Sequence, residues 1–591
     1  MTVHNAQDGK NNPEKGKDGN IMKKKVLALL LSTAMAVSVF AGCGGSGGGS
    51  SENASSGSET GSSEEQAPAD NASEDAGADS GAAASNGEVV KLKALAILHP
   101  LTKDVQEMQY VTQIQEEAGV EIEWELIRAD WDQVKATRFA SGDIPDLLFN
   151  ATTNADYQTY KGLFLELTPY INQDLTPNIA TMFEEEPDTR ALATTLEGEI
   201  YGTPKFQGKW PDTNTVMFIN KQWLDNLGLE MPTTFTELKE VLTAFKEQDA
   251  NGNGDPGDEV PLDFNGWFGS AYSLPGAWMG ALGIQLTNQA RNGYFAEDGQ
   301  VKNYAVDERY KLFMKYVADL YSNGLINTNA VTNDYSMFQS LSRGNEAGDA
   351  MVGVVAGWEE TDKFGPDLYS QYVALPPLAY DIDCAADTYD TRWKHDFSDL
   401  NMSANRVAVS AKCSDPEAAM RFIDRFYDQT HSVEVLFGGI PDGNVAETGD
   451  NSYEVLLPPA EANTDPGTWK WTSTFADNGP MYIRRATDLK MAEDMTNAVN
   501  ERTVYADTLA KASSEDMYPD MFMKYSAEDE NNMALMQANI DNVINNQWAI
   551  WMVGDEDIDA TWDAYVENVN SAGLQDVLAI RQAAFDAYLG K

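Results

Sequence analysis

Val120, Ile122, Trp124 and Leu126 alternate with Glu121, Glu123 and Glu125. A period of two predicts a strand with one buried face. Upstream, Val89–Leu98 is an apolar run broken only by Lys91 and Lys93, a second strand candidate. Between them Val105, Met108, Val111 and Ile114 recur at helical spacing and Gly119 supplies a stop, so 104–118 reads as a helix. A further helix over 131–140 leads through Ser141-Gly142-Asp143 to the apolar strand 146–149. The order β-α-β-α-β favours an α/β layer with a mostly parallel sheet. Ligands of such sheets sit at the carboxyl ends of the strands, so the loops at His99-Pro100 and Asn150-Ala151 are candidate pocket walls.

Further along, Thr234 and Glu237 form a capping box ahead of the stripe Leu238, Val241, Leu242 and Phe245. Arg406–Ser410 reads as a strand. Ser414-Asp415-Pro416 opens a helix carrying Ala419, Phe422, Ile423 and Phe426. From about Ser526 the pattern gives two or three amphipathic helices, with Ile540, Val543, Ile544, Trp548 and Trp551 as core. No internal repeat is evident.

The amino-terminal stretch has a different logic. Lys23, Lys24 and Lys25 precede an apolar run, Val26–Phe40, that ends in Ala41-Gly42-Cys43. The run is too short to cross a bilayer stably and has the layout of an export signal. Cysteine directly after Ala-Gly makes it resemble a bacterial lipoprotein signal, with Cys43 lipidated. Residues 1–21 run into a second methionine, Met22, which marks them as a mis-called start, with the signal at 22–42. Residues 44–86 are almost only Gly, Ser, Ala, Glu, Asp and Asn. They cannot bury enough apolar surface to fold, so 43–87 reads as a lipidated cysteine on a flexible acidic tether.

The remaining five hundred or so residues are enough for two domains with full cores. The formal net charge is −52, and residues 1–42 hold six lysines against three acids, so the rest is more acidic still. Such a chain repels phosphate backbones and anionic lipid, which argues against nucleic acid and against membrane contact beyond a lipid anchor. His99, His395 and His431 are not spaced as a zinc pair, and Cys384 and Cys413 are expected to be buried and unpaired.

The sharpest chemistry follows the helix at 234–245. Asp249, Asn251 and Asn253 match positions one, three and five of an EF-hand loop, Gly254 the sixth, and Asp255 the position that supplies a carbonyl. The closing acids, Asp258 and Glu259, fall at positions ten and eleven, and Val260 stands at twelve. Oxygen ligands in this register fit a hard cation of calcium size, whereas an Asn/Gly/Asp-rich surface turn is the bland alternative. A strand at Pro261–Phe264 follows instead of a second helix, so the ion would staple a helix end to the body.

All 13 tryptophans lie after residue 120, several beside glycine. Any single one is more often packing than platform, but as a set they suit the apolar faces of sugar rings. The candidate ligand contacts are Trp210, Trp267, Trp278, Tyr335, Trp358, Glu359, Trp469 and Trp471.

Ser141-Gly142-Asp143-Ile144-Pro145-Asp146, Tyr201-Gly202-Thr203-Pro204 and Asp415-Pro416-Glu417-Ala418-Ala419, with the signal and tether, resemble the extracellular solute-binding proteins of ABC importers. The calcium loop is similar to that of the large carbohydrate-binding members, including alginate-binding proteins. Gly554-Asp555-Glu556-Asp557 and Trp562-Asp563 resemble the Gram-positive lipoprotein branch. The resemblance implies an α/β, two-lobed periplasmic-binding-protein-like (type II) fold with hinge-linked lobes. By analogy one lobe takes 88–200 and 375–440, and the other takes 201–374 and 441–591. It further implies a monomer, lipid-anchored on the extracellular face, that captures an oligosaccharide in the cleft. Delivery would be to permease subunits with a cytoplasmic ATPase, with Ca2+ structural and no catalysis.

Two other readings differ in class. An exported glycoside-acting enzyme would use a carboxylate pair such as Glu359-Glu360, but adjacent residues on a strand face opposite sides and would not flank one bond. A binding protein for a non-sugar solute, such as a peptide, would keep the fold and change the cleft. A calcium-dependent adhesin would call for repeats or a wall-anchoring tail, and neither is present.

Overall fold

The computed structural model describes residues 89–268, 272–287, 292–396, 401–462, 464, 466–513 and 515–591. Residues 1–88, which hold the expected signal, Cys43 and the whole tether, lie outside the described residues. Val89–Lys591 is one compact unit whose described residues form four sheets, two of them large, of six and four strands.

The first sheet has six strands in the order Tyr482–Ile483, Gly202–Gln207, Met402–Val409, Leu147–Phe149, Val90–Ile97 and Val120–Ile127. The three amino-terminal strands run parallel, Leu95 opposite both Leu148 and Glu125. Met402–Val409 runs antiparallel to them, and its register shifts between Ser403 and Val407. The helix expected over 104–118 begins only at Gln109, after a 3-10 turn at Val105–Glu107 and an extended Met108, and Gly119 closes it at φ 69°. One face of the sheet holds a core of Leu95, Trp131, Phe139, Leu148, Tyr157 and Phe164. Trp124, Phe149, Phe422, Phe426 and Phe475 form an aromatic cluster, in which Phe149 and Phe475 stack at 5.7 Å.

The second sheet has the order Tyr372–Ala374, Val216–Asn220, Val352–Gly357 and Val260–Asp263. Its central strands are buried along their whole length, as continuous apolar runs require. Gly353 permits the fit of helix Phe235–Glu247 onto this sheet: a Cβ there would stand 2.5 Å from the Phe245 ring. Glu237 donates its backbone N–H to Thr234 Oγ1 at 3.2 Å, while its carboxylate accepts from Thr233 rather than Thr234. The carboxyl-terminal helices Ala527–Met552 and Ile558–Ser571 pack on helix Glu308–Ser322, and Leu574–Tyr588 packs on both of them and on strand Gln300–Asn303.

Sheet membership moves the analogy-based boundaries. Gly202–Gln207 pairs within the first sheet, so the chain leaves that sheet after Gln207 and not at 200. Tyr482–Ile483 extends the same sheet, so the whole of 441–591 does not belong with the second. Backbone pairing over long sequence separations decides this, and no local pattern records it. The chain therefore passes from the first sheet to the second over 208–215 and returns to the first after Ala374. Cys384 and Cys413 are free. No helix among the described residues is long and apolar enough to cross a membrane.

Candidate functional site

The carboxyl ends of the parallel strands in both sheets lead into one row of side chains. His99 follows Val90–Ile97. Its Nδ1 accepts from Leu101 N at 3.2 Å, which leaves Nε2 to carry the proton, and burial lowers its pKa, so the ring is neutral near pH 7. The ring lies 4.9 Å from Trp471, on helix Pro466–Thr472. That helix is tied to the His99 loop where Thr102 Oγ1 donates to Trp471 O at 2.7 Å and Lys103 N to Thr472 O at 2.9 Å. Lys470 Nζ is 5.6 Å from the Trp471 ring centre and 5.1 Å from that of Trp210. Trp210 lies in the crossing segment 208–215 and is 6.2 Å from Trp358, which follows strand Val352–Gly357. Trp210, Trp358 and Trp471 are all half-buried, the exposure a stacking platform needs.

Arg502 holds this row together from behind. Its guanidinium is buried and sits 4.4 Å from the Trp358 ring centre. It donates to Thr213 O at 2.5 Å, Trp358 O at 2.7 Å and Asn214 O at 3.3 Å, and also to Ala498 O. One side chain thus clamps the crossing segment, the end of the second sheet and helix Glu493–Asn500. Arginine alone offers enough donors in a planar fork for this.

Not every expected contact joins the row. Trp267 and Trp278 are each 2% exposed. Trp267 donates to Tyr310 Oη at 2.8 Å and stacks on Trp548, and Trp278 packs edge-on to Phe235, so their faces are taken by the core. A glycine neighbour does not distinguish a platform from a packed ring. Tyr335 is 49% exposed and faces Tyr272 at 6.4 Å, beside Arg502 and Asp396, which act on the Tyr272 hydroxyl. Trp469 is half-buried on the same short helix as Trp471.

Glu359 is 3% exposed and caps helix Glu360–Leu368, accepting from Thr361 N and Asp362 N at 2.9 Å. The expectation that Glu359 and Glu360 point apart assumed a strand. At a helix start they reach the same place, where ligand oxygens of Glu359, Glu360 and Glu501 lie within 4.8 Å of one another. Burial, with Glu360 and Glu359 nearby, pushes the Glu501 carboxyl up to about 8. Lys205, Arg406, Lys470, Asp477, Arg502 and Glu501 were not singled out in the sequence. Only Lys470, between two tryptophans, carried a local signal.

The loop after helix Phe235–Glu247 closes on itself. Gly254 N donates to Asp249 Oδ2 at 2.9 Å, Asn253 N to Asn251 Oδ1 at 3.0 Å and Asp255 N to Asn253 Oδ1 at 2.8 Å. Gly254 has φ 95°, a conformation glycine alone adopts without strain. Glu259 turns back across the loop and accepts from Ala250 N at 2.8 Å, although it stands one position early. Asp249 Oδ1 and Glu259 Oε2 are buried with no hydrogen-bond donor among the described residues. Two orphaned carboxylate oxygens at the ends of an oxygen-lined loop fit a hard cation. Asp349, far away in sequence, adds a carboxylate 3.4 Å from the Asn253 amide.

Residues 100–428, more than half of the chain, match the family described as bacterial extracellular solute-binding protein. The fructooligosaccharide ABC transporter substrate-binding protein FusA of Streptococcus pneumoniae is 27% identical over 522 residues, 84% of this chain and 90% of FusA. A solved HMO-binding, ABC-transporter-associated solute-binding protein from Bifidobacterium longum infantis is 29% identical. It superposes with a TM-score of 0.77 over 85% of this chain and 99% of its own. FusA in complex with kestose gives 25% identity and a TM-score of 0.68, over 85% of this chain and 99% of that one.

Proposed function

Because the chain belongs to the bacterial extracellular solute-binding protein family, with the two-lobed type II fold of its structural neighbours, we propose that it captures an oligosaccharide between its lobes and hands it to an ABC permease. The observation that carries this reading is the row His99, Trp471, Lys470, Trp210, Trp358. It alternates half-buried aromatic faces with polar heads and draws on both sheets and on a segment that crosses between them. Aromatic faces meet the C–H faces of sugar rings, and Lys470 and His99 Nε2 offer hydroxyl partners. A ligand that touches both lobes binds their closed arrangement more tightly than an open one and so shifts the population toward closure. FusA, by its name, binds fructooligosaccharides, and the Bifidobacterium protein binds HMO. Both support a sugar over a peptide here.

In the same reading Cys43 is the lipidated first residue, and Asp249, Asn251, Asn253, Asp255, Asp258 and Glu259 hold a structural Ca2+. The ion would neutralise Asp249 and Glu259 and fix the end of helix Phe235–Glu247 to the second sheet. It takes no part in ligand capture.

The test is thermal unfolding of the protein against a panel of oligosaccharides and peptides, with recovery of the ligand. The expected result is a raised midpoint with one oligosaccharide class, dependent on concentration, and that sugar returned intact. Shifts with peptides only, or a sugar returned cleaved, would overturn the reading.

A further inference from the structure

Beside Lys470 the interlobe row runs into a group of charges that does not balance. Lys470 Nζ donates to Asp477 Oδ2 at 2.8 Å. Lys205 is 3% exposed, and its Nζ donates to the Asp477 backbone oxygen at 2.7 Å and lies 3.8 Å from Oδ1. Gln207 Nε2 reaches Oδ1 at 3.4 Å. Arg406, half-buried, completes the group from strand Met402–Val409, at its register shift. Two ammonium groups thus meet one carboxylate, and Arg406 lies within reach of its charge. Asp477 is the only carboxylate acting on Lys205 and Arg406 among the described residues. In a chain of net charge −52 a local positive surplus is unexpected.

Arg406 shows where the surplus is unspent. Its Nε donates to Ala404 O at 3.0 Å, and Nη1 and Nη2 meet no acceptor among the described residues. Arg406 is half-buried, so this planar edge, with no protein acceptor, is open to a bidentate anion arriving from solvent. The electrostatics agree. Burial pushes Arg406 down to about 10 and Lys205 down to about 8, the latter helped by Arg406 and Lys470. Burial works to raise the Asp477 carboxyl, yet Lys470 and Lys205 hold it well below the ordinary carboxylate range. Asp477 is therefore ionised, and its single charge is shared among Lys470, Lys205 and Arg406.

We propose that Arg406, with Lys205 and Lys470, forms an anion subsite in the interlobe cleft that receives the carboxylate or sulfate of an acidic sugar unit. The proposal rests on the oligosaccharide reading and deepens it: the sugar is charged. Trp210 and Trp471, both next to Lys470, would flank that unit and set its ring against the cations. The positive subsite also offers an anionic ligand an attractive region on a chain of net negative charge.

The experiment is calorimetric titration of the full chain with two matched pairs. One is trigalacturonate and its methyl ester; the other is a sulfated disaccharide and its unsulfated parent. Each pair holds the ring skeleton and changes the charge, and the two together separate carboxylate from sulfate as the source. At least one acidic member is expected to bind about tenfold or more tightly than its neutral partner, with the preference shrinking as salt rises. Arg406→Gln should abolish that preference while leaving the neutral member's affinity within about twofold, and Arg406→Lys should restore part of it. Retained neutral binding reports that the variant folds. If it does not bind the neutral sugar, its unfolding midpoint decides: a native midpoint with no binding of either member overturns the proposal. Equal binding of acidic and neutral members by the wild-type chain overturns the anion subsite and leaves the oligosaccharide reading standing. No binding by any sugar, in these pairs or the wider panel, removes both.

Discussion

Trp267 lies flat against Trp548, their ring centroids 4.5 Å apart and their planes 8° from parallel. The contact joins the loop after strand Val260–Asp263 to the long helix Ala527–Met552, nearly three hundred positions later. It makes Trp267 a stability residue. Trp267→Ala should lower unfolding free energy by about 3–5 kcal/mol, the usual range for a buried tryptophan. Chemical denaturation measures it. Ligand affinity in the surviving folded fraction should stay close to wild type.

The half-buried rings should behave in the opposite way. Trp471→Ala and Trp358→Ala each keep the core intact, so the unfolding midpoint should move little while oligosaccharide affinity falls about tenfold or more. A large midpoint loss with unchanged affinity would remove these rings from the cleft.

Arg502→Lys retains the charge and loses the fork. The ammonium cannot reach carbonyls of Thr213, Asn214, Trp358 and Ala498 together. Both stability and affinity should drop, because the clamp holds Trp358 as well as the crossing segment. A variant indistinguishable from wild type in both measurements would deny Arg502 that role.

Removing calcium with a chelator should lower the unfolding midpoint, and restoring the ion should recover it. Saturation at a hundred times Kd corresponds to about 2.7 kcal/mol. Glu259→Gln should weaken this response sharply, since Glu259 Oε2 is one of the two orphaned oxygens. An unchanged midpoint on chelation would leave the loop as a hydrogen-bonded turn.

Glu501 gives a pH signature. Its folded pKa of about 8 stands above the ordinary 4.5, so the folded state holds a proton that the unfolded state releases. The stability this contributes is complete below about 4.5 and is lost as pH rises through 8. Glu501→Gln stays neutral at every pH and keeps an acceptor for Glu360 N, which donates to Glu501 Oε1 at 3.0 Å. The variant should melt at the wild-type temperature near pH 4.5 and about 1–3 °C above it at pH 8. A constant gap across that range would mean the carboxyl titrates normally.

The amino-acid pattern by itself determined the local elements. Strand Val120–Ile127, helix Gln109–Ala118 with its Gly119 stop, helix Phe235–Glu247 with its buried stripe, and the α/β class follow from periodicity and capping. These depend on neighbours within a few positions, and those are written in the chain. The oxygen register of 249–259 was legible for the same reason, down to the early Glu259, which still turns back to Ala250 N. Which tryptophans face a ligand was not legible. Trp267 and Trp358 both follow a glycine, and only the arrival of Trp548 over one and Arg502 behind the other separates them. The Lys205, Arg406, Lys470 and Asp477 group was equally hidden, its members drawn from three distant segments. Nor was the pairing of Gly202–Gln207 with Tyr482–Ile483 legible, since it joins strands far apart in the chain. Periodicity records which face of an element is buried, whereas pairing and charge balance depend on what the rest of the chain brings to that face.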